Sequence, residues 1–126
     1  MNPIPLPSKQ EMEWVKAHIL VPVMLEVLEK DIGTINTLQL KMPHLYVKSL
    51  RKIQDQVERD AYEIRKQFRT HGIKVYEMER TDRGIEASYL CRGYHQQMVL
   101  LWSRIRSEVE QRLYAYMGIR PDEANV

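Results

Sequence analysis

The stretch that decides the fold is Ile73-Lys-Val-Tyr-Glu-Met-Glu-Arg-Thr-Asp-Arg-Gly-Ile-Glu-Ala-Ser-Tyr-Leu-Cys-Arg92. Two runs rich in β-branched and aromatic residues flank Thr81-Asp-Arg-Gly84, the pattern of a β-hairpin. Asp-Arg-Gly suits a type I turn followed by glycine in a left-handed conformation. That turn sets Arg80 opposite Glu86, Tyr76 opposite Leu90 and Val75 opposite Cys91. The hairpin base (Ile73, Val75, Tyr76, Tyr89, Leu90, Cys91) is apolar, and the tip is charged. An isolated hairpin is marginal in water, so the base is expected to pack on helices while the tip projects.

Helical patterns surround it on both sides. Ser8-Lys-Gln-Glu11 matches the capping box, in which two side chains satisfy backbone donors at a helix start. Met12, Val15, Ile19, Val23, Met24, Val27 and Leu28 recur at helical spacing. A first helix is predicted from about Lys9 to Asp31, kinked at Pro22, with Gly33 as its C-cap. Residues 32–42 read equally as loop, short helix or strand. Pro43 suits the first turn of a second helix, and Gly72 closes it. Tyr46, Leu50, Ile53, Val57, Ala61, Ile64 and Phe68 step by three and four in an eleven-residue repeat, so their stripe runs nearly straight. A third helix is predicted from about Tyr94 to Met117, with Tyr94, Met98, Leu101, Ile105, Val109, Leu113 and Tyr116 inward and Val99 and Trp102 beside them. Gly118 ends it.

The expected fold is therefore mainly α with a small β-hairpin (α+β), three long helices in the order helix, helix, hairpin, helix. Residues 1–7, with Pro3, Pro5 and Pro7, form an extended lead-in. Residues 8–118 form one domain, and 119–126 a short polar tail. At 126 residues and 44% hydrophobic the chain suits a single domain and is too apolar for a disordered tail. One cysteine excludes a disulfide scaffold and a thiolate zinc site. The longest apolar run, Ile19–Leu25, falls far short of the roughly 20 residues that span a bilayer. The start has neither the basic flank nor the small-residue cleavage site of a signal peptide. These features point to a cytoplasmic protein without membrane contact.

Chemistry finds little support. Cys91 and His95 could pair as nucleophile and base, but a free cysteine on the hairpin's packed face is more simply a small core residue. His18, His44, His71 and His95 lie in four separate places, without the spacing of a metal site. Glu77, Glu79 and Glu86 read as solvated acids near the hairpin tip. There is no glycine-rich phosphate loop. No catalytic residue, metal, cofactor or small-molecule substrate is expected.

Two binding readings remain. Seven Tyr and two Trp against one Phe favour half-wet positions, as interfaces do. Together with apolar rows longer than a thin fold covers, this suggests a non-enzymatic interaction or regulatory module. It would self-associate as a homodimer, or meet a protein partner, through apolar helix faces. Tyr76, Tyr89, Tyr94, Trp102 and Tyr116 are its candidate surface. The alternative is nucleic-acid binding. Net charge is only +2, yet residues 43–72 carry seven basic against four acidic residues. His71-Gly-Ile-Lys-Val-Tyr-Glu through Tyr89-Leu-Cys-Arg-Gly-Tyr94 is similar to the wing of winged-helix regulators. That resemblance implies phosphate contacts from Arg65, Lys66 and Arg69, with Arg80 and Arg83 reaching a groove. Winged domains break before the recognition helix, whereas the second helix here reads as one rod, and nucleic acid is the less favoured partner.

Overall fold

A computed structural model describes residues 6–122. The lead-in prolines Pro3 and Pro5, and the end of the polar tail, lie outside those residues. The described chain forms α1 (Lys9–Ile35), α2 (Pro43–His71), β1 (Ile73–Arg80), β2 (Gly84–Cys91), β3 (Tyr94–Leu101) and α3 (Trp102–Tyr116). The strands make one antiparallel sheet in the order β1-β2-β3. The class is mixed α+β and mostly helical, as expected. The departure is β3: residues 94–101 extend the hairpin into a third strand, and the last helix begins only at Trp102.

The first helix starts on the capping box. The Glu11 amide donates to Ser8 Oγ at 3.1 Å, and the Ser8 amide donates to Glu11 Oε1 at 2.9 Å. Val15, Ile19, Leu20, Met24, Leu28 and Ile32 are buried along one row, making α1 the central element. Gly33 lies inside this helix, which runs through to Ile35 with Asn36 as C-cap. Residues 36–42 then form turns and bends, without a strand. As expected, α2 opens on Pro43 and closes on Gly72 in the left-handed conformation. It runs antiparallel to α1, with Trp14 meeting His71 edge to face, His18 tilted against Phe68, and Glu29 bonded to Arg51. Ile53, Val57, Ala61 and Phe68 of its straight stripe are buried, whereas Tyr46 at its start is exposed.

The sheet covers the core with one face. Ile85, Ala87, Tyr89 and Cys91 of β2 are buried, and Glu86, Ser88 and Leu90 between them are only partly covered. The β1–β2 register differs from the one expected. Arg80 pairs with Ile85 and Glu79 with Glu86; beyond a bulge between Val75 and Glu77, Val75 pairs with Tyr89 and Ile73 with Cys91. The extra residue, Tyr76, shifts every pair below it, because a bulge sets two residues against one. The turn also differs. Thr81 Oγ1 accepts from the Arg83 and Gly84 amides at 3.2 and 3.3 Å, and the Thr81 amide donates to the Gly84 carbonyl at 2.8 Å. Gly84 has no positive φ. Glycine is needed there for room, since a Cβ would sit 1.9 Å from the Leu100 carbonyl oxygen across the ladder.

The β2–β3 connection is the tight turn Arg92-Gly93, with φ of 50° and 85°. Positive φ at both central residues is the signature of a type I′ hairpin turn. Arg92 holds its unusual backbone while binding in three directions. Its amide donates to the Gly72 carbonyl at 2.8 Å. Its guanidinium grips the Glu11 carboxylate with both terminal nitrogens, Nη2 to Oε1 at 3.2 Å, and Nη1 also reaches the His71 carbonyl at 3.4 Å. Glu11 is only 4% exposed. The Arg92 bonds, then the Ser8 amide, hold its carboxyl down at about 2 against burial that would raise it. Further ion pairs fasten α3 to α1: Glu108 meets Lys16 at 3.3 Å, and Arg112 meets Glu13 at 2.6 Å.

A carboxyl at about 2 in the fold and 4.5 unfolded stabilises the protein fully above pH 4.5 and loses that contribution as pH falls toward 2. Solvent screens the partly exposed guanidinium, so the contribution is about 1–2 kcal/mol. Arg92→Ala strands a buried carboxylate and should cost about 2–4 kcal/mol at neutral pH. Denaturant melts of variant and wild type should converge near pH 2; a gap unchanged by pH would remove the ion pair as the cause. Gly84→Ala should cost about 2 kcal/mol or more through its collision with β3. Gly33→Ala, where a Cβ meets nothing within 4 Å, should instead stabilise α1 by about 0.5–1 kcal/mol.

Candidate interaction surface

Of the aromatic residues expected at a surface, three are exposed: Tyr76, Tyr94 and Trp102. Tyr89 is 3% exposed and belongs to the core, because it alternates along β2 with Ile85, Ala87 and Cys91 on the face toward the helices. Tyr116 is half-buried, and its hydroxyl donates to Asp60 at 2.5 Å, tying α3 to α2. Burial, then that bond, pushes its phenol pKa up. Tyr76 crosses the open sheet face, its hydroxyl 3.0 Å from His95 Nδ1. Trp102 Nε1 donates to the Thr81 carbonyl at 2.8 Å, so its ring stands at the β1–β2 turn.

The helix stripes supply little of the surplus apolar surface, leaving Met12, Val27 and Tyr46 exposed. It gathers at two other places. One is the α1–α2 turn, where Leu38, Leu40, Met42, Leu45 and Tyr46 are exposed. The other is β3 and its flank, with Tyr94, Val99, Leu101 and Trp102 exposed. A groove of about 490 Å³ runs beside that strand, between Met98–Leu101 and Lys9, Met12, Lys16 and Arg104.

The two sheet edges differ sharply. Edge β1 carries Lys74, Glu77, Glu79 and Arg80 and is broken by its bulge. Charges and bulges are the usual means of keeping an edge from pairing with another chain. Edge β3, Tyr-His-Gln-Gln-Met-Val-Leu-Leu, carries no Asp, Glu, Lys, Arg or Pro. Hydrogen bonds in an antiparallel ladder alternate. Cys91 and Tyr94 close the two-residue turn, and the Trp102 amide donates to Arg83 at 3.1 Å. Tyr94, Gln96, Met98 and Leu100 therefore bond inward to β2, whereas His95, Gln97, Val99 and Leu101 aim their backbone groups outward.

The two expected basic groups do not meet, and of the five residues Arg83 adjoins this surface through its carbonyl bond to the Trp102 amide. Arg65, Lys66 and Arg69 lie near the end of α2, beside the start of β1. Arg80 and Arg83 lie at its far end, roughly 23 Å away at about 3.3 Å per residue. Lys66 contacts Glu63, and Arg80 bonds Glu26 at 2.9 Å. Cys91 and His95 point to opposite faces, since Cys91 is buried among the helices and His95 stands beside Leu90 on the open face. Burial, then the Glu11 charge, pushes the Cys91 thiol up, away from a reactive thiolate. Among the described residues no three His, Cys, Asp or Glu side chains are placed to hold a metal ion.

Sequence reasoning missed β3. Two signals pointed to it: the Arg-Gly pair of a two-residue turn, and the absence of charge from Gly93 to Ser103.

Residues 6–121 match the family described as YhjD protein. "Uncharacterized protein YhjD" of Bacillus subtilis (strain 168) is 24% identical over 114 residues, which cover 89% of this chain and 95% of that protein. No solved structure matches. The match spans the whole packed unit, from the residues before the capping box to the end of α3, and so the chain belongs to the YhjD family.

Proposed function

We propose that the protein is a non-enzymatic, cytoplasmic interaction module that works as a homodimer. The observation that carries this reading is the contrast between the sheet edges, one charged and bulged, the other uncharged and flanked by exposed Tyr94, Val99, Leu101 and Trp102. Exposed backbone donors and acceptors beside apolar side chains are stabilised by pairing with another chain. The working surface is thus the sheet edge and not, as the apolar spacing suggested, a helix face. A buried lone thiol suits a reducing compartment. Among the described residues no helix is long and apolar enough to cross a membrane. The nucleic-acid alternative has less support, because its two basic groups stand apart and Arg80 is already paired.

Light scattering coupled to gel filtration should give twice the 15.0 kDa chain mass, falling toward one chain on dilution. A single-chain mass at every concentration, low micromolar to millimolar, overturns the homodimer. Binding to generic duplex DNA should be weak. A log–log salt slope of about −4.5, as five phosphate contacts would give, would transfer the function to nucleic acid.

A further inference from the structure

We propose that β3 pairs with β3 of a second copy, antiparallel and centred on Met98, to make one continuous six-stranded sheet. This rests on the homodimer reading above and specifies its contact. Three features of the strand carry it.

The first is charge. A two-fold axis sets an edge against its own copy, so any charge it bears meets a like charge. Centred on Glu77, β1 would oppose Glu77 to itself; centred on Met78, it would oppose Glu77 to Glu79. Like charges directly opposite are destabilising. Along β3 no such conflict arises, whichever residue lies on the axis.

The second is the side-chain period. Residues directly opposite in an antiparallel pair point to the same face. A symmetric pairing must therefore place its axis through a residue and not between two. Centring on Gln97 sets Leu101 opposite Gly93, in the turn, and leaves Leu101 without a strand partner. Centring on Met98 sets Gln97 against Val99 and His95 against Leu101 of the second copy. All the outward-directed residues of β3 then find partners, and every such pair lies within the strand.

The third is what else the Met98 register covers. Tyr94, exposed at one end of the edge, comes level with the Trp102 backbone of the second copy at the other. Met98 meets Met98 on the helix-covered side, next to Met12, which is 41% exposed on the groove wall. The strand is already extended in the monomer, so pairing avoids the ordering loss that a flexible peptide would incur.

Val99→Pro tests the pairing. The Val99 amide is not used by β2, and proline is tolerated on an edge strand whose amide faces outward. The dimer loses a symmetry-related pair of hydrogen bonds, and its dissociation constant should rise by about 30-fold or more. Val99→Lys, which leaves the backbone intact, should also weaken the dimer, with circular dichroism and melting of both variants close to wild type. Met98→Cys should form an intermolecular disulfide under mild oxidation, since a non-hydrogen-bonded pair brings Cα atoms to about 4.5 Å. The wild type, with only buried Cys91, should not cross-link. A dimer that survives both Val99 variants, or that cross-links through Gln97→Cys and not Met98→Cys, overturns this pairing and leaves the homodimer standing. A wild type that is a single chain throughout overturns both. Dimer loss on Leu45→Lys, with Val99→Lys silent, would place the contact at the α1–α2 turn.

Discussion

The grip of Arg92 on Glu11 joins three things that the chain brings from far apart. Glu11 is the third residue of α1 and half of its capping box. Gly72, which ends α2, accepts a hydrogen bond at its carbonyl from the Arg92 amide. Arg92 itself forms half of the turn between β2 and β3. A buried carboxylate without its guanidinium would be strongly destabilising, so the start of α1, the end of α2 and that turn are placed together or not at all. The opposite end of the sheet is tied more loosely, by the exposed pair of Arg80 with Glu26. Such surface pairs contribute little, commonly under about 1 kcal/mol. The firm end of the sheet is therefore the one that begins β3.

Much of this architecture is written locally. Ser8 and Glu11 mark the start of α1 because a capping box needs only residues three apart. Pro43 and Gly72 bound α2 because proline and left-handed glycine act on their own backbone. The β1–β2 strands are legible from composition, but their register is not. The bulge at Tyr76 carries no turn residue, and its effect appears only when Ile73, Tyr89 and Cys91 must all reach the same core. Gly84 shows the same limit. Its requirement is the Leu100 carbonyl on a strand that contacts it only after folding, whereas sequence reasoning assigned it a turn conformation.

The misreading of residues 94–101 has a specific cause. Tyr94, Met98, Leu101 and Ile105 step by four, three and four, which is helical spacing. Tyr94, Gln96, Met98 and Leu100 step by two, and this set faces the helices. The two patterns share Tyr94 and Met98, and glutamine in the alternate set hides the strand period. Nor does α3 announce its start, because Leu101 at its N-cap offers no side-chain acceptor. The decision falls to Arg92-Gly93. A helix would leave Arg92 with no reason to adopt positive φ, whereas a two-residue hairpin turn requires it. Once Arg92 is fixed to Glu11 and Gly72, the chain after Gly93 has the free side of β2 beside it, and pairing satisfies both backbones.

On the proposed pairing, a guarded edge beside an open one also limits how many copies can assemble. A sheet with two open edges can add strands at both ends, and association then has no natural stop. With Glu77, Glu79 and the bulge closing β1, pairing across β3 uses the open edge of each copy and leaves guarded strands outermost. In the proposed dimer the assembly would end at two. The same charges that look like an acidic cluster near the hairpin tip thus have a physical role that needs no ligand. Glu79 stands directly opposite Glu86, a pairing that weakens the β1–β2 ladder, and the same negative charge also disfavours an acidic strand arriving at that edge.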